Sequence, residues 1–530
     1  MSKFNTSTVS AANGRGPITA TANGRTHEGG AGYAHDAKGE LFLLAVANFV
    51  GEDTFYEKAG DRDRRYAELV RRVAVADPQW TARFLRWLRT KANMRSASLA
   101  GALEAAKAML DHGIPGGRAI VDSVLQRPDE PGEALAYWMS TYGRAVPKPV
   151  KRGVADAAAR LYTERALLKY DSASHGFRFG DVVDLTHPTP AADKAAWQGE
   201  LFAYALNRRH GRGWESGGAP GETLRMLSAN AALRAASASD PSVLLDPDAL
   251  AEAGMTWEDV LSLAGGTVDK GRLWTALIPT MGFMALLRNL RNFDEAGVGD
   301  DVASRVCARL ADPAAVARSR QFPFRFLAAY QNAPSLRWGQ ALDRALRSSL
   351  ANLPALPGRS LILVDTSASM SSAGFSRRST ISPVKAAAVF GVALAARGAR
   401  VDLYGFADGV FPHEVRRGAS VIREVDRFVG RVGEVGHGTR IADSLSRTFD
   451  GHDRVFVISD MQTFAPVHGG RNVTDVVPRT VPLYGFNLGG YARTAFDAGT
   501  PNRLEFGGLT DATFRMIPLL EAGRNADWPF

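Results

Sequence analysis

The sequence predicts a multidomain protein in which an all-α region is followed by an α/β domain with a doubly wound, mostly parallel sheet. Three observations support this fold class. The chain has 530 residues, too many for one hydrophobic core. Helical signals occupy nearly everything up to about Leu350. Beyond Arg359 strands and helices alternate, which is typical of a sheet covered by helices on both faces.

Residues 1–35 lack periodicity and are predicted to form a flexible arm. Amphipathic helices are predicted over residues 36–350, separated by Gly, Pro and Asp. One begins with Asp77 as its N-cap and Pro78 at its first position, and its apolar stripe comprises Trp80, Phe84, Leu85 and Leu88. Many short helices without an obvious period favour a helix-pair solenoid, although an ordinary all-α domain fits the same pattern.

Residues 351–358 include Leu-Pro-Ala-Leu-Pro-Gly and are predicted to be the linker to an α/β domain at 359–530. In such sheets, ligands bind at the carboxyl ends of the strands. The predicted strands are 360–364, 401–406, 454–459 and 481–487, and the predicted helices are 381–397, 421–432, 440–448 and 511–522.

Composition and charge limit the classes of protein to which this chain can belong. No run of eighteen apolar residues occurs and the first residues are polar, so we expect a cytoplasmic protein. The single cysteine, Cys307, excludes a disulfide framework and a thiolate metal cluster, and we expect it to pack on a helix. The net charge of +9 permits a polyanionic partner without requiring one. The excess of Arg over Lys fits phosphate contacts and a GC-rich genome equally well.

Polar side chains follow two of the predicted strands. Alternate residues after the first strand carry one carboxylate and two hydroxyls, and Gly436-His-Gly438 permits a tight loop that presents a third hydroxyl. Oxygen-only ligands suit Mg²⁺, Mn²⁺ or Ca²⁺. The sequence therefore predicts one divalent cation, held by Asp365, Ser367, Ser369, Thr439 and Asp460. The alternative is that the Asp and Ser residues are only caps and turn formers.

This order of D-x-S-x-S, Thr and Asp resembles the metal-ion-dependent adhesion site (MIDAS) of a von Willebrand factor A-type domain. The resemblance implies an open coordination position on the cation, which an Asp or Glu of a partner commonly fills. Arg440 follows Thr439 where an acidic residue is common. An arginine there would either weaken cation affinity or attract an anionic partner.

The helical motifs resemble those of the Ro autoantigen family, in which a HEAT-like helical ring, the TROVE module, precedes an A-type domain. Met284-Ala-Leu-Leu-Arg-Asn-Leu290 resembles the signature A-L-L-R-N-L, and Phe322-Pro-Phe-Arg-Phe-Leu-Ala328 resembles H-P-F-x-x-L-x-A. The segment from Phe179 to His187 resembles H-x-D-L-L-R-L-S-H, with Gly180 and Asp184 as departures that put one element of a phosphate-binding strip in doubt. The likeness runs from about Gly39 to the C-terminus and indicates a bacterial member.

The resemblance implies a non-catalytic ribonucleoprotein component for RNA quality control or decay. Its RNAs would be small structured Y-type RNAs on the outer surface and misfolded non-coding RNAs in the hole of the ring. An exoribonuclease or another protein would dock at the cation through an acidic residue, and neither DNA nor a membrane is expected. His187 matches a family position that contacts Y RNA, and a helix-end cap is an equally good interpretation of it.

Basic residues supply further candidate RNA contacts. Lys148, Lys151, Arg152 and Lys169 form one basic stretch, which suits salt-dependent binding to a nucleic-acid backbone. We expect solvent-facing contacts from Arg318 and Arg320. For Arg288 and Arg291 we expect buried arginine–carbonyl bonds, with recognition of a ribose–phosphate edge of RNA as the alternative.

A convincing catalytic constellation is missing from the sequence. It has no clear nucleophile–base pair, two-carboxylate site or phosphate-cradling loop. The prediction is therefore a non-enzymatic RNA-binding protein, with a metal-dependent protein-interaction scaffold without RNA as the alternative.

Overall fold

A computed structural model gives the fold of the chain. The residues that it describes are 18, 20–47, 58–172, 176–211, 220–333, 335–350, 356–371, 381–397, 400–416, 418–507, 517–518, 520–521 and 528–530.

Short helices make up most of the regular structure between residues 37 and 350. Their bounds are α1 Ala37–Ala47, α2 Ala59–Ala76, α3 Pro78–Thr90, α4 Arg95–Asp111, α5 Gly117–Val124, α6 Glu130–Tyr142, α7 Lys148–Leu161, α8 Glu164–Tyr170, α9 Phe179–Thr186, α10 Ala195–Arg209, α11 Arg225–Ser239, α12 Pro247–Glu252, α13 Trp257–Ala264, α14 Lys270–Leu277, α15 Phe283–Glu295, α16 Asp300–Ala311, α17 Pro313–Ser319, α18 Pro323–Asn332 and α19 Leu336–Ser349.

Helix α3 shows how the sequence sets these elements. The Asp77 carboxylate accepts a hydrogen bond of 3.0 Å from the backbone N–H of Trp80, and Pro78 occupies the first turn, where it removes no needed donor. Its predicted apolar stripe, Trp80, Phe84, Leu85 and Leu88, is buried. Cys307 lies half-buried on α16, as predicted, and its Sγ contacts the carbonyl oxygen of Arg337 at 3.4 Å.

Helices near the end of the helical region contact helices near its start. Asn93, after α3, donates a hydrogen bond of 3.3 Å to the carbonyl oxygen of Arg320, between α17 and α18. Phe322 packs against the same hydrophobic core as the helices of the N-terminal half. Contacts across 227 residues of sequence therefore bring the two ends of the helical region together.

The α/β domain has a six-stranded sheet built from β3 Arg359–Asp365, β4 Arg400–Phe406, β5 Val410–Pro412, β6 Arg454–Ser459, β7 Leu483–Asn487 and β9 Arg503–Gly507. The strand order is β5-β4-β3-β6-β7-β9, and every pairing is parallel except that of β4 with β5. The helices of this domain are α20 Ala368–Ser371, α21 Pro383–Arg397, α22 Val421–Val429, α23 Ile441–Thr448 and α24 Val473–Val476.

The central strands of the sheet lie at the predicted positions, and the sheet has further strands that were not predicted. Strands β5 and β9 were not predicted, because they are short edge elements. The predicted helix 421–432 ends at Val429, and the predicted strand 481–487 begins at Leu483. Of the predicted helix 511–522, the described residues 517–518 and 520–521 are helical; the remainder, like residues 351–355 of the linker, lies outside the described residues.

The prediction of a flexible arm over residues 1–35 is wrong for residues 20–35, which form two strands and a turn. Residues 1–17 and 19 lie outside the described part. Strands β1 Ala20–Arg25 and β2 Ala31–His35 form an antiparallel hairpin, and β2 pairs with β8 Arg493–Thr494. The hairpin escaped prediction because its partners lie more than 430 residues away: Thr26 donates to the carbonyl oxygen of Thr463 at 2.6 Å.

The α/β domain contacts both ends of the helical region. Ser420, before α22, donates to the carboxylate of Asp343 on α19 at 2.7 Å. On the other side, the guanidinium of Arg62 on α2 donates to the carbonyl oxygen of Gly489 at 3.0 Å, after β7. No helix within the described part of the chain is long and apolar enough to cross a membrane.

Candidate metal centre and nucleic-acid interface

The first loop of the candidate metal centre begins where β3 ends. Asp365 is fully buried, and its Oδ1 accepts a hydrogen bond of 2.9 Å from the backbone N–H of Ser367. The hydroxyls of Ser367 and Ser369 lie 3.1 Å apart. Because parallel strands end at one edge of the sheet, these oxygens face the end of β6.

The second loop brings a second carboxylate to the same place. Asp460, which directly follows β6, is 4% exposed and accepts a hydrogen bond from the hydroxyl of Ser369. Burial, followed by the charge of Asp365, raises the pKa of Asp460 to about 7. Burial likewise raises the pKa of Asp365 to about 6, although hydrogen bonds from Ser367 and Ser459 oppose the rise.

The third loop carries Thr439, which is 1% exposed, and Asp408 shapes this loop. The Asp408 carboxylate accepts hydrogen bonds of 3.0 Å from the backbone N–H groups of His437 and Gly438. A Cβ atom on Gly436 or Gly438 would lie within 2.4 Å of that carboxylate, so both positions require glycine. The carbonyl oxygen of His437 then accepts from the N–H of Ala368 at 2.9 Å, which joins the third loop to the first.

The five predicted ligand residues are therefore brought together, and their chemistry suits a hard divalent cation. Neither Asp365 nor Asp460 forms an ion pair with a Lys or Arg in the described part of the chain. Arg440, predicted to influence the site, faces Asp408 at 3.5 Å and Asp443 at 3.8 Å instead. Two buried carboxylates with raised pKa values, beside oriented hydroxyls, are an arrangement that a bound cation would stabilise.

Sequence reasoning missed three residues of this centre. Ser459 donates its hydroxyl to Asp365 Oδ2 and accepts from the N–H of Met461 at 3.0 Å. Asp408 orders the third loop, and Thr463 donates to the carbonyl oxygen of Thr439 at 3.0 Å. The only signal in the sequence was position: Ser459 ends β6, and Asp408 follows β4, a strand that also ends at this edge.

Three of the predicted RNA-binding residues share the first turn of α7. Lys148, Lys151 and Arg152 stand at positions i, i+3 and i+4, which places their side chains on one helical face. None of them forms an ion pair with a described residue, and Lys148 and Arg152 are exposed. The N-terminus of a helix is the positive end of its dipole, so these cations add to positive charge that is already there. This turn is therefore electrostatically suited to an anion.

The other predicted RNA-binding residues are dispersed. Lys169 is exposed at the last turn of α8 and contacts the ring of Tyr170, and no described contact joins it to the cations on α7. His187 ends α9 in the left-handed conformation, with φ of 47°, and its side chain is exposed, so the helix-end and RNA interpretations are compatible. Arg318 and Arg320 are both exposed, as expected.

The expectation for Arg288 and Arg291 is wrong. Both are exposed, because the face of α15 that carries Leu286, Leu290 and Phe293 packs into the core and turns the arginines outward. Arg291 pairs with Glu295 at 2.7 Å.

Arg288, which was expected to be buried, instead lies near a second arginine, Arg325. The pKa of Arg325 on α18 is lowered by burial and by the nearby positive charge of Arg288. Neither arginine forms an ion pair with a described carboxylate, so the two guanidinium groups form a local concentration of positive charge.

The departure at Gly180 has a packing explanation. A Cβ atom at Gly180 would lie 2.5 Å from Cβ of Arg209 and 2.6 Å from the carbonyl oxygen of Ala205. The glycine therefore permits close contact between α9 and α10. Asp181 caps α9 through the N–H of Arg178 at 2.9 Å, and Asp184 is exposed.

Comparison with protein families matches residues 251–337 to the model of the TROVE domain. This segment of the chain is therefore similar to the TROVE domain. The match covers α13 to α18, including Met284–Leu290 and Phe322–Ala328, whereas the segment from Phe179 to His187 lies outside it. The recognition of the Ro autoantigen family is confirmed.

Two kinds of known protein are similar to parts of this chain or to its fold. It is 39% identical to telomerase protein component 1 of Mus musculus and 38% identical to that of Rattus norvegicus, in each case over 101 residues. These matches cover 19% of this chain and only 4% of the relatives. The crystal structure of the Deinococcus radiodurans RO (RSR) protein superposes with a TM-score of 0.59 at 20% identity, over 91% of this chain and 100% of that one.

The structural match shows the fold, a ring of helical repeats beside an α/β domain, and so confirms the predicted fold class.

Proposed function

We propose that this protein is the protein component of a ribonucleoprotein that binds small structured Y-type RNAs through its helical region. The observation that carries this proposal is the start of α7, where three cations lie on one face and none has a carboxylate partner among the residues that the structure describes. Neighbouring arginines differ: Arg118 pairs with Asp156 at 2.6 Å and Arg160 pairs with Asp122 at 2.8 Å. Cations without partners gain most from neutralising phosphates.

A second RNA contact is proposed at the basic pair of Arg288 and Arg325. The two helices that carry them, α15 and α18, lie in the TROVE segment, and Arg318 and Arg320 precede α18. Guanidinium groups bind phosphate and stack on bases, which suits an unpaired RNA end. We therefore assign the ends of misfolded non-coding RNAs to this region and infer a role in RNA quality control or decay.

The α/β domain is proposed to be a von Willebrand A-type module that binds Mg²⁺, Mn²⁺ or Ca²⁺. Asp365, Ser367, Ser369, Thr439 and Asp460 would hold the cation. A bound cation supplies positive charge that can accept a carboxylate from a partner protein, such as an exoribonuclease. Within the described part of the chain, neighbouring residues orient the ligand side chains, and no Lys or Arg pairs with the two carboxylates in place of the cation.

The RNA proposal is tested by changing Lys148, Lys151, Arg152 and Lys169 together to Ala in the full chain. Affinity for a structured small RNA is measured at several salt concentrations. We expect weaker binding and a log–log salt slope reduced by up to about 3.6, since each phosphate contact contributes about 0.9. An unchanged slope would show that these residues do not contact the RNA backbone.

A charge-matched control separates contact from overall charge. Arg423, Arg447, Arg471 and Arg479 are exposed on the α/β domain, and their change to Ala removes the same four positive charges. We expect this variant to bind RNA nearly as the native chain does. Equal losses in both variants would favour non-specific attraction, and the absence of RNA binding in the native chain would favour the scaffold alternative.

A further inference from the structure

Helices α1 and α3 carry a set of aromatic side chains that a distant part of the chain covers. This aromatic surface consists of side chains that are at most 5% exposed: Phe42, Trp80, Phe84 and Trp87. Their rings form one layer, since the centroids of Phe42 and Trp87 lie 5.6 Å apart and those of Trp80 and Phe84 lie 5.0 Å apart. The cover is the segment 528–530, with the sequence Trp-Pro-Phe.

Both aromatic residues of the segment 528–530 pack on this surface. Their ring centroids lie 5.1–5.7 Å from those of the surface: Trp528 contacts Phe42 and Trp80, and Phe530 contacts Trp80, Phe84 and Trp87. Pro529 disfavours helical backbone at the residue before it, and alternate residues of an extended chain point to one side. The order aromatic–Pro–aromatic therefore suits the delivery of two rings to one surface.

Aromatic contact alone attaches this segment. Within the part of the chain that the structure describes, none of its three residues forms a hydrogen bond or an ion pair, and all three remain partly exposed. The indole N–H of Trp80 is buried and has no acceptor among the described residues, which costs about 1–3 kcal/mol. The segment can therefore leave the surface without breaking a hydrogen-bonded element.

The chain just before the segment is anchored in the α/β domain. The carboxylate of Glu521 accepts hydrogen bonds of 2.5 and 2.9 Å from the guanidinium of Arg454 at the start of β6, and both residues are buried. The segment 528–530 follows seven positions later and lies on α1 and α3. It therefore fastens the α/β domain to the first helices of the helical region.

We propose that the aromatic surface is a peptide-binding site and that the segment 528–530 is its exchangeable intramolecular ligand. The ligand class is an extended peptide with aromatic side chains on both sides of a proline. A segment tethered by a short linker competes at an effective concentration of about millimolar, so it excludes most free peptides. A peptide of the same chemistry binds where the segment is removed. Neither RNA nor the cation takes part in this interaction.

A labelled peptide of residues 524–530 tests the proposal by fluorescence anisotropy with the full chain. The double variant Trp528→Ala, Phe530→Ala vacates the aromatic surface. We expect it to bind the peptide at least about tenfold more tightly than the native chain, because the tethered competitor is gone. A peptide with Ala at both aromatic positions is the control ligand and should not bind.

Two further variants locate the binding site, each made in the background of the double variant. Phe42→Leu alters the aromatic surface and should weaken peptide binding about fivefold, since it removes ring–ring contacts. Phe283→Leu, at a partly buried position on α15, should leave peptide affinity unchanged. Equal affinities of these two variants would place the peptide elsewhere and overturn the assignment.

The remaining outcomes are also decisive. Equal peptide affinity of the native chain and the double variant, or no binding by the double variant, would overturn the proposal. If the double variant is too unstable for titration, the peptide should raise its Tm and leave the native Tm unchanged. No rise would again contradict the proposal. A native dimer in sedimentation that the double variant does not form would show that the segment binds a second copy, which overturns the intramolecular assignment.

Discussion

The metal centre and the cationic turn of α7 are built in opposite ways. At the metal centre the side chains are buried, and hydrogen bonds from Ser367, Ser459 and Gln462 fix the two carboxylates. On α7 the cations are mostly exposed and lack described ion-pair partners. A buried site must be complete in its geometry, because an uncompensated charge inside a protein is costly. A surface that follows a flexible polyanion needs charge more than fixed geometry.

The largest effect is expected from removing a metal ligand. Asp365→Ala deletes one of two buried carboxylates and also the acceptor for Ser367 and Ser459. We expect Mn²⁺ affinity to fall at least about a hundredfold, since so few ligands are charged. Calorimetry on this variant and on Asp426→Ala, a carboxylate of α22, makes the comparison. Native affinity in Asp365→Ala would mean that the buried cluster is not the cation site.

A second effect concerns stability as a function of pH without metal. The raised pKa values of Asp365 and Asp460 mean that the folded state keeps protons that the unfolded chain has released. Stability therefore falls as the pH rises from about 4 to about 7, and it levels off above. Relative to an Asp365→Asn, Asp460→Asn double variant, the native chain in EDTA should lose on the order of 7 kcal/mol of unfolding free energy over this range, at about 1.4 kcal/mol for each unit by which a pKa is raised.

Denaturant titrations at several pH values measure this difference. Saturating Mn²⁺ should remove most of it, because a cation compensates the charges. A native chain whose stability follows that of the double variant at every pH would contradict the burial of two charged carboxylates.

A smaller effect is expected from Asp408, which orders the third loop without lying among the predicted ligands. Asp408→Ala leaves the N–H groups of His437 and Gly438 without their acceptor. We expect Mn²⁺ affinity to fall about tenfold, as for other residues that only orient metal ligands. Asp450→Ala, at an exposed turn of the same domain, provides the control. A full loss of binding would place Asp408 among the ligands instead.

The smallest effect is expected from chelation of metal during RNA binding. If the helical region binds RNA and the α/β domain binds the cation, EDTA should change RNA affinity by less than about twofold, because phosphate contacts on α7 need no metal. Filter binding of a structured RNA with and without EDTA gives the measurement, at matched ionic strength. Strong chelator sensitivity would show that the two surfaces do not act separately.

The same contrast explains what the sequence could predict. Asp365, Ser367 and Ser369 follow a strand within five residues, so local spacing is enough to predict their proximity. The grouping of Lys169 with the α7 cations failed, because neighbours in sequence belong to different helices. The burial expected for Arg288 also failed, since the apolar residues of α15 lie on another face.

The hairpin was beyond sequence reasoning for a different reason. Its strands contain Ala, Gly and Asn and show no alternation, and the contacts that fix it come from β8 and from Thr463. Pairing between segments so far apart in sequence produces no local residue pattern from which a strand can be predicted. The strands of the main sheet were predictable because apolar runs such as 360–364 carry their own signal.

The contact between Thr26 and Thr463 also sets an order of events during synthesis. Ribosomes add about 5–20 residues per second, so the hairpin is made roughly 20–90 s before the 437 residues up to its docking site are complete. Through that interval the edge of β2 that later pairs with β8 has no partner from its own domain. Nascent chains with this arrangement depend on chaperones or on rapid folding of the helices to keep the free strand edge from pairing with other chains.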